Sequence, residues 1–540
     1  MNQAIKLLEE ICRLMELHGD NPFKIRAFEK AAQSLAEHPN FKQLAQEGRL
    51  REIPGVGKGI EDVLTQFFVH GRTPLRDELL ESLPKGLLQL TEIPGLGPKK
   101  ARVLIEKLGI HSAGELEYAC RENRLLKIKG FGQKLQKTIL EGILFKNENQ
   151  GRFRLSDGLR MAQEFAAHLK LAFPGLQFFE TGELRRRLEV LERLDFLVIE
   201  SEPALALKEG RAGHAGFSSS VFQGCPVYFH YTVEKEFGFA WAKSTGSLDH
   251  WKALGSPQRM QAATEEEFYE RLDLPWIPPE CRETGEEVAF ARAGFLDQLL
   301  PWNGLRGVFH NHTTRSDGAA SLEDMVKGAI ALGYEYIGIS DHSQSAFYAQ
   351  GLKESDLKEQ EKEIRVVQER YPEIRIFWGI ESDILADGSL DYEPQILKKF
   401  DFVIASIHSR FQMDRQAMTD RMICAIRNPF TRFIGHPTGR LLLGRKGYEL
   451  DREAVILEAT QHGVAIELNS HPSRLDIDWR WGNSMRKFNA WTSIHPDAHQ
   501  LEGLKDTDYG VAMARKALIS KNRVVNTKTV QEVEKWLKRE

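Results

Sequence analysis

Two patterns of apolar and polar positions divide the chain. Its first stretch, MNQAIKLLEEICRLMELHG, sets acids among apolar residues at helical spacing, and as far as about residue 150 helical stretches alternate with short glycine-centred turns. From Gly307 onward, short strand-like apolar runs alternate with helical stretches, and each run leads to a residue able to bind a metal. Gly307-Val308-Phe309 leads to His310 and His312, Tyr336 through Ser340 to Asp341 and His342, and Ile374 through Ile380 to Glu381. Phe402 through Ile407 leads to His408, and Phe433 through Gly435 to His436. Alternating strands and helices predict a barrel, whose strand carboxyl ends meet on one face and gather distant residues around one pocket. Alternation with period two places His310 and His312 on the same side of a single strand.

Asp317, in Ser316-Asp317-Gly318, and Asp497 and His499, in His495-Pro496-Asp497-Ala498-His499, complete a set of six histidines and three carboxylates. Imidazole and carboxylate without thiolate suit zinc, manganese or iron, and ligand type alone does not choose among them. One such histidine reads as an ordinary core or surface residue. The recurrence at strand ends carries the inference.

Composition narrows the class. A chain of 540 residues exceeds one ordinary core, and its 41% apolar and 28% charged content fits a folded, soluble protein. No apolar run reaches the ~18 residues that span a bilayer, and the acid-containing N-terminus does not fit a signal peptide, so a cytosolic address is expected. Cys12, Cys120, Cys225, Cys281 and Cys424 lie far apart, without the paired spacing of a zinc site or disulfide framework, and are expected as buried thiols. The net charge of -4 gives no global attraction to nucleic acid, so any such binding has to be local.

Local phosphate sites are present in the helical part. Ile53-Pro54-Gly55-Val56-Gly57-Lys58, Ile93-Pro94-Gly95-Leu96-Gly97-Pro98-Lys99 and Ile128-Lys129-Gly130-Phe131-Gly132-Gln133-Lys134 repeat one Ile-x-Gly-apolar-Gly core at intervals of about 40 and 35 residues. Glycine allows a tight turn and leaves amides open, and the following helix points its first N–H groups outward beside Lys58, Lys99 or Lys134. A single copy reads equally well as a plain helix connector. Three copies point to a shared role in holding phosphate, and their resemblance to the helix-hairpin-helix motif implies the DNA backbone as partner, bound without base readout.

These turns resemble the helix-hairpin-helix motif, and nearly the whole chain resembles the bacterial family X DNA polymerases that end in a PHP phosphoesterase domain. The stretch from Met15 to Phe28 resembles that family's opening domain, and Thr264 to Tyr269 and Trp276 to Glu280 resemble its thumb and exit into PHP. The resemblance implies a multidomain chain: an α-helical helix-hairpin-helix region, an α+β nucleotidyltransferase-like core and an α/β distorted barrel of PHP type. The expected boundaries are 1–80 and 81–150 for the helical parts, 151–285 for the core, 286–305 for a linker and 306–540 for the barrel.

Within the core the family pattern is broken. Gly182-Glu183-Leu184-Arg185-Arg186-Arg187 and Leu191-Glu192-Arg193-Leu194-Asp195 keep one of the family's metal-binding aspartates, Asp195, but Arg193 stands at the first position. The third falls on Tyr228, aligned through Phe237-Gly238 and Thr245-Gly246-Ser247. A guanidinium there opposes a divalent cation, and one carboxylate does not support two-metal nucleotidyl transfer. Where related lyases place a Schiff-base lysine this chain has Val63, which has no amine.

The PHP resemblance, by contrast, carries over all nine ligands. It implies a trinuclear centre in which His310, His312, Glu381 and Asp497 hold one metal, Glu381 bridges to a second held by His408 and His436, and Asp317, His342 and His499 hold the third. Asn311 and Pro496 depart from the family without touching a ligand. Such metals make a bound water acidic enough to attack phosphate near neutral pH. Arg440, in the family-like run Gly435 to Arg445, and Arg474 are candidate phosphate clamps. The implied function is a DNA-repair phosphoesterase at 3′ ends, a 3′-5′ exonuclease, with AP endonuclease and 3′-phosphatase activities as further options, and a core without synthesis. Its rivals are a working polymerase with proofreading, a non-catalytic DNA-binding scaffold and a PHP phosphatase for small molecules such as histidinol phosphate.

Overall fold

A computed structural model describes residues 2–37, 41–83, 87–91, 93–201, 204 and 221–539. The chain forms two compact units, residues 1–150 and 151–540. The first is helical with two apolar clusters. Leu8, Ile11, Phe28, Ile53, Val56 and Leu64 belong to one; Leu90, Leu96, Leu104, Phe131 and Ile139 belong to the other, which Leu17 of the first helix joins. Val63 is buried in the former.

The second unit begins with a short antiparallel ribbon, Phe153–Arg154 against Val190–Leu191. A four-stranded sheet follows, with β1 (Phe178–Thr181), β2 (Leu194–Ile199), β3 (Val221–Phe222) and β4 (Cys225–Thr232) in the order β1-β2-β4-β3. β2 runs parallel to β4, and both other pairings are antiparallel. The apolar run Phe196-Leu197-Val198 is buried, and Phe165, on the helix Leu155–Ala172, packs 5.5 Å from Phe196 and 6.1 Å from Phe229.

The barrel contains seven parallel strands: β5 (Gly307–Val308), β6 (Tyr336–Ile339), β7 (Arg375–Asp383), β8 (Phe402–Ser406), β9 (Thr431–Ile434), β10 (Ala465–Asn469) and β11 (Thr492–His495), hydrogen-bonded in sequence order. Beyond the end strands the backbone nearly closes the ring: the His312 N–H donates to the Ala498 carbonyl at 2.9 Å, and the Ala498 N–H to the His310 carbonyl at 3.3 Å.

Phe309, Tyr336, Phe377, Phe402 and Phe433 form a buried aromatic cluster together with Val533 and Leu537 of the C-terminal helix Val530–Lys538. Glycines on the strands make room for the rings. A Cβ at Gly307 would lie 2.3 Å from the Tyr336 ring, one at Gly338 2.3 Å from Phe309, and one at Gly379 2.3 Å from Phe402.

Two expectations need correction. Residues 286–305 are not a linker: they contain the helix Glu286–Arg292, and Val288, Ala291 and Leu299 are buried in a cluster that includes Leu518. Their apolar positions have a partner surface and fold onto it. One apolar cluster also runs through core and barrel, from Leu155, Phe165 and Phe196 to Val308, Ile337 and Ile466. Cys12, Cys120, Cys225 and Cys281 are buried as expected, but Cys424, on the helix Arg415–Arg427, is exposed.

The aromatic packing makes Gly379→Ala a sensitive test of the barrel. An added methyl group has to displace Phe402, so denaturant unfolding should show a loss of about 1–3 kcal/mol.

Candidate functional site

At the barrel mouth the nine predicted ligands converge. Their ligating atoms fall into close groups: His312, Asp317, His342 and His499; His310, Glu381 and His436; His310, His312 and Asp497; and His342, Glu381 and His408. Glu381 is central, with Oε1 3.1 Å from Nε2 of His310, 3.1 Å from Nε2 of His436 and 3.3 Å from Nε2 of His408, and Oε2 2.9 Å from Nδ1 of His342. Asp497 lies 3.3 Å from His312, and Asp317 lies 3.5 Å from His342 and 3.4 Å from His499.

The expected geometry of His-x-His is wrong in detail. β5 ends at Val308, and His310 adopts a left-handed φ of 59°, so the two imidazoles meet through a bent segment rather than strand alternation. Their rings are 5.3 Å apart. His436 and Asp497 also have positive φ, 23° and 51°. Strain of this kind persists where the surroundings over-determine it, as at a ligand site. Glu381 also differs from expectation in lying within its strand, two residues before the end.

The electrostatics fit bound cations. Burial would raise the pKa of Glu381, but the imidazoles around it, His310 foremost, outweigh burial and hold it well below the carboxylate range. Burial, followed by His499 and His342, pushes His312 down to about 3, leaving a neutral ring with one lone pair to donate. Among the described residues, both ring nitrogens of His312, Nε2 of His310 and Oε2 of Glu381 are buried without an acceptable hydrogen bond. Buried polar atoms are normally satisfied, and cations coordinated by this set would satisfy its acceptor atoms, including one nitrogen of the His312 ring.

Supporting residues escaped the sequence reading. Glu467, on β10, accepts from Nδ1 of His310 at 2.6 Å, Nδ1 of His495 at 2.8 Å and the His436 N–H at 2.9 Å. Its signal was visible as a single acid inside the apolar run Val464-Ala465-Ile466-Glu467-Leu468, where a charge needs a partner. Asp383 orients His408 through Nδ1 at 2.7 Å. Asp341, buried next to the ligand His342, ties down the turn before Asp317 by accepting from the Thr313 N–H and from the Thr313 and Ser316 hydroxyls.

The two candidate clamps separate. Arg474 faces the centre, its Nε 3.5 Å from Asp497 Oδ2. Arg440 does not serve as a clamp: its guanidinium is committed to Asp478 at 2.5 Å, the Arg474 carbonyl at 3.0 Å and the Leu475 carbonyl. It supports the segment that carries Arg474.

In the core, the β2–β4 register places Asp195 opposite Tyr228, as the alignment expected. Asp195 is buried and both its oxygens are engaged, with Arg193 Nε at 2.9 Å and His230 Nε2 at 2.9 Å. The Arg193 guanidinium carbon lies 5.1 Å from the centre of the Tyr228 ring. His230 was not anticipated.

The three glycine turns share one geometry. Gly55, Gly95 and Gly130 have φ of 90°, 86° and 95°, which an L side chain rarely adopts. Gly57, Gly97 and Gly132 cap the helices Lys58–His70, Pro98–Leu108 and Gln133–Glu148 in extended conformation. Val56, Leu96 and Phe131 are buried between them, and Lys58, Lys99 and Lys134 are exposed. A Cβ at Gly57, Gly97 or Gly132 would meet nothing within 4 Å among the described residues, so these glycines answer to no internal crowding.

Known proteins share this plan. Residues 2–73 match a helix-hairpin-helix domain, 87–143 a SAM-like helix-hairpin-helix tandem and 309–471 a PHP domain. The DNA polymerase/3′-5′ exonuclease PolX of Bacillus subtilis (strain 168) is 34% identical over 567 aligned positions, covering 99% of each chain. This chain belongs to the PolX family. This PolX member is also 32% identical over 166 residues to a probable phosphatase of Acetivibrio thermocellus, in an alignment covering 30% of this chain and 64% of that protein. A crystal structure of histidinol phosphate phosphatase from Lactococcus lactis, complexed with zinc, L-histidinol and phosphate, matches with TM-score 0.32 and 18% identity over 39% of this chain and 93% of that one. The PHP match ends at residue 471, and beyond it Asp497 and His499, named from the sequence, lie beside the other candidate ligands in the fold.

Because Glu467 orients His310 and fixes the His436 backbone, Glu467→Gln should lower metal affinity by about 10–100-fold. Manganese titration by calorimetry, with circular dichroism to confirm folding, measures it.

Proposed function

We propose that this PolX member is a metal-dependent phosphoesterase that trims DNA from 3′ ends as a 3′-5′ exonuclease in repair, and that its nucleotidyltransferase-like core does not synthesise DNA. The observation that carries the reading is the convergence of nine nitrogen and oxygen donors around buried His312 and Glu381. Divalent metals bound there supply an acidic water and neutralise charge on the phosphate. The chain's own residues position the reactants. Arg474 offers a guanidinium to phosphate oxygens beside Asp497, and Glu467 and Asp383 hold His310 and His408 in fixed orientations.

The partner is DNA, held by its backbone. Three glycine-capped helix starts, each without a side-chain cap bond and with an exposed lysine, offer open amides that bind phosphate without reading sequence. The lack of synthesis follows from Arg193 and His230, which take both oxygens of Asp195, while Tyr228 stands where a further carboxylate would be needed. Among the described residues, no helix is long and apolar enough to cross a membrane.

With manganese, the purified protein should shorten a 3′-hydroxyl oligonucleotide, and His310→Ala and Asp497→Ala should abolish that activity. Full activity in either variant contradicts the reading. 3′-Phosphate and abasic-site substrates in the same assay determine the range of esters attacked.

Gly97→Ala should cost no more than about 1 kcal/mol, since only a helix cap changes, yet weaken DNA binding. Fluorescence anisotropy with unrelated sequences should show similar affinities that fall steeply with salt. Unchanged affinity in Gly57→Ala, Gly97→Ala and Gly132→Ala combined would make the turns simple connectors.

Primer extension, measured in the His310→Ala background so that degradation does not mask synthesis, should be absent. Template-dependent extension that Asp195→Ala abolishes would overturn this reading of the core.

A further inference from the structure

The segment after β10, residues 470–480, carries Arg474 and is held from two directions. From the barrel side, Arg440 bonds the Arg474 and Leu475 carbonyls and Asp478. From the nucleotidyltransferase-like core, Arg154 donates to Ser473 Oγ at 2.9 Å and to the Leu442 carbonyl at 3.4 Å. Glu189 accepts from the Trp479 indole N–H at 2.9 Å and from Arg480 at 2.6 Å.

These two core residues form a unit. Arg154 pairs with Val190 in the antiparallel ribbon, and the Leu155 N–H donates to the Glu189 carbonyl at 3.1 Å. Glu189 is only 7% exposed, so its carboxylate and the indole N–H facing it would each lose a buried partner if the other were removed. The ribbon grips the residue immediately before Arg474 and the pair Trp479-Arg480 after it.

We infer that the ribbon is a working part of the hydrolase site: Arg154 and Glu189 are positioning residues that fix the Ser473–Arg474 turn so that the Arg474 guanidinium faces the metal centre. The inference rests on the phosphoesterase reading above and adds a function for the core that needs no nucleotidyl transfer. The strand leading out of the ribbon is the one that carries Asp195, so a folded core is a condition for a well-placed Arg474. Neither Arg154 nor Glu189 belongs to the ligand set, so metal content should not depend on them.

A double-mutant cycle on the full-length protein tests this, using manganese and a single-stranded 3′-hydroxyl oligonucleotide. Arg154→Ala and Ser473→Ala should each lower kcat/KM by about tenfold, the loss of a hydrogen bond to a charged group. Arg154→Lys, which reaches one acceptor, should recover part of it, and bound manganese should match the wild type in all three. In an Arg474→Ala background, Arg154→Ala should cause no further loss, because its effect passes through Arg474. Fully additive losses, an unchanged Arg154→Ala or Ser473→Ala, or full activity of Arg474→Ala would each overturn the positioning role. Ser473→Ala removes one hydroxyl and keeps the test decisive if Arg154→Ala fails to fold. Failure of the wild-type chain to hydrolyse any phosphoester would instead overturn the reading of the barrel, and this inference with it.

Discussion

A fully buried carboxylate, Glu381, sets the terms for the barrel. Removing such a charge from water costs several kcal/mol unless opposite charges or donors surround it. Here His310, His342, His408 and His436 approach within 3.3 Å, and each lies beyond the end of a different strand. They reach one point only if β5, β6, β8 and β9 converge, which an open, flat sheet would not achieve. The rings of Tyr336, Phe309 and Phe402 lie over Gly307, Gly338 and Gly379, and Phe309 and Phe433 also pack against His495, so the aromatic cluster adjoins the ligand-bearing layer. Glu467 repeats the principle one layer back, where its charge is met by His310, His495 and a backbone N–H.

Much of this was legible in the sequence, because strand ends are local features and ligand chemistry is restrictive. Six of the nine candidate ligands could be named from short apolar runs that end in histidine or acid, Asp317, Asp497 and His499 from nearby motifs and the PHP resemblance, and the hairpin turns from a repeated glycine spacing. What the sequence did not show were relations between distant segments. Arg440 reads as a free cation beside His436, and only the fold brings Asp478 and two carbonyls to it. Residues 286–305 read as a linker because the apolar surface that buries Val288 and Leu299 includes Leu518, more than 200 positions later. His310 and His312 were expected on one strand, since nothing local reveals that the strand stops at Val308.

The core poses the same electrostatic problem as the barrel and solves it differently. Asp195 sits in β2 with almost no exposure, where an unpaired carboxylate would be strongly destabilising. In a metal-bound nucleotidyltransferase, cations meet that need. In this chain the guanidinium of Arg193 and the imidazole of His230 meet it from within the protein. A fixed cation also excludes a mobile one, so the substitution that keeps Asp195 satisfied is the one that opposes metal binding. Stability and synthesis thus become separable: the sheet keeps its buried acid and its shape without metal. A core that keeps its shape still presents Arg154 and Glu189 at the separate two-stranded ribbon, where they hold the segment bearing Arg474. Selection on phosphate hydrolysis alone would then preserve the fold of the core while leaving its metal ligands free to change.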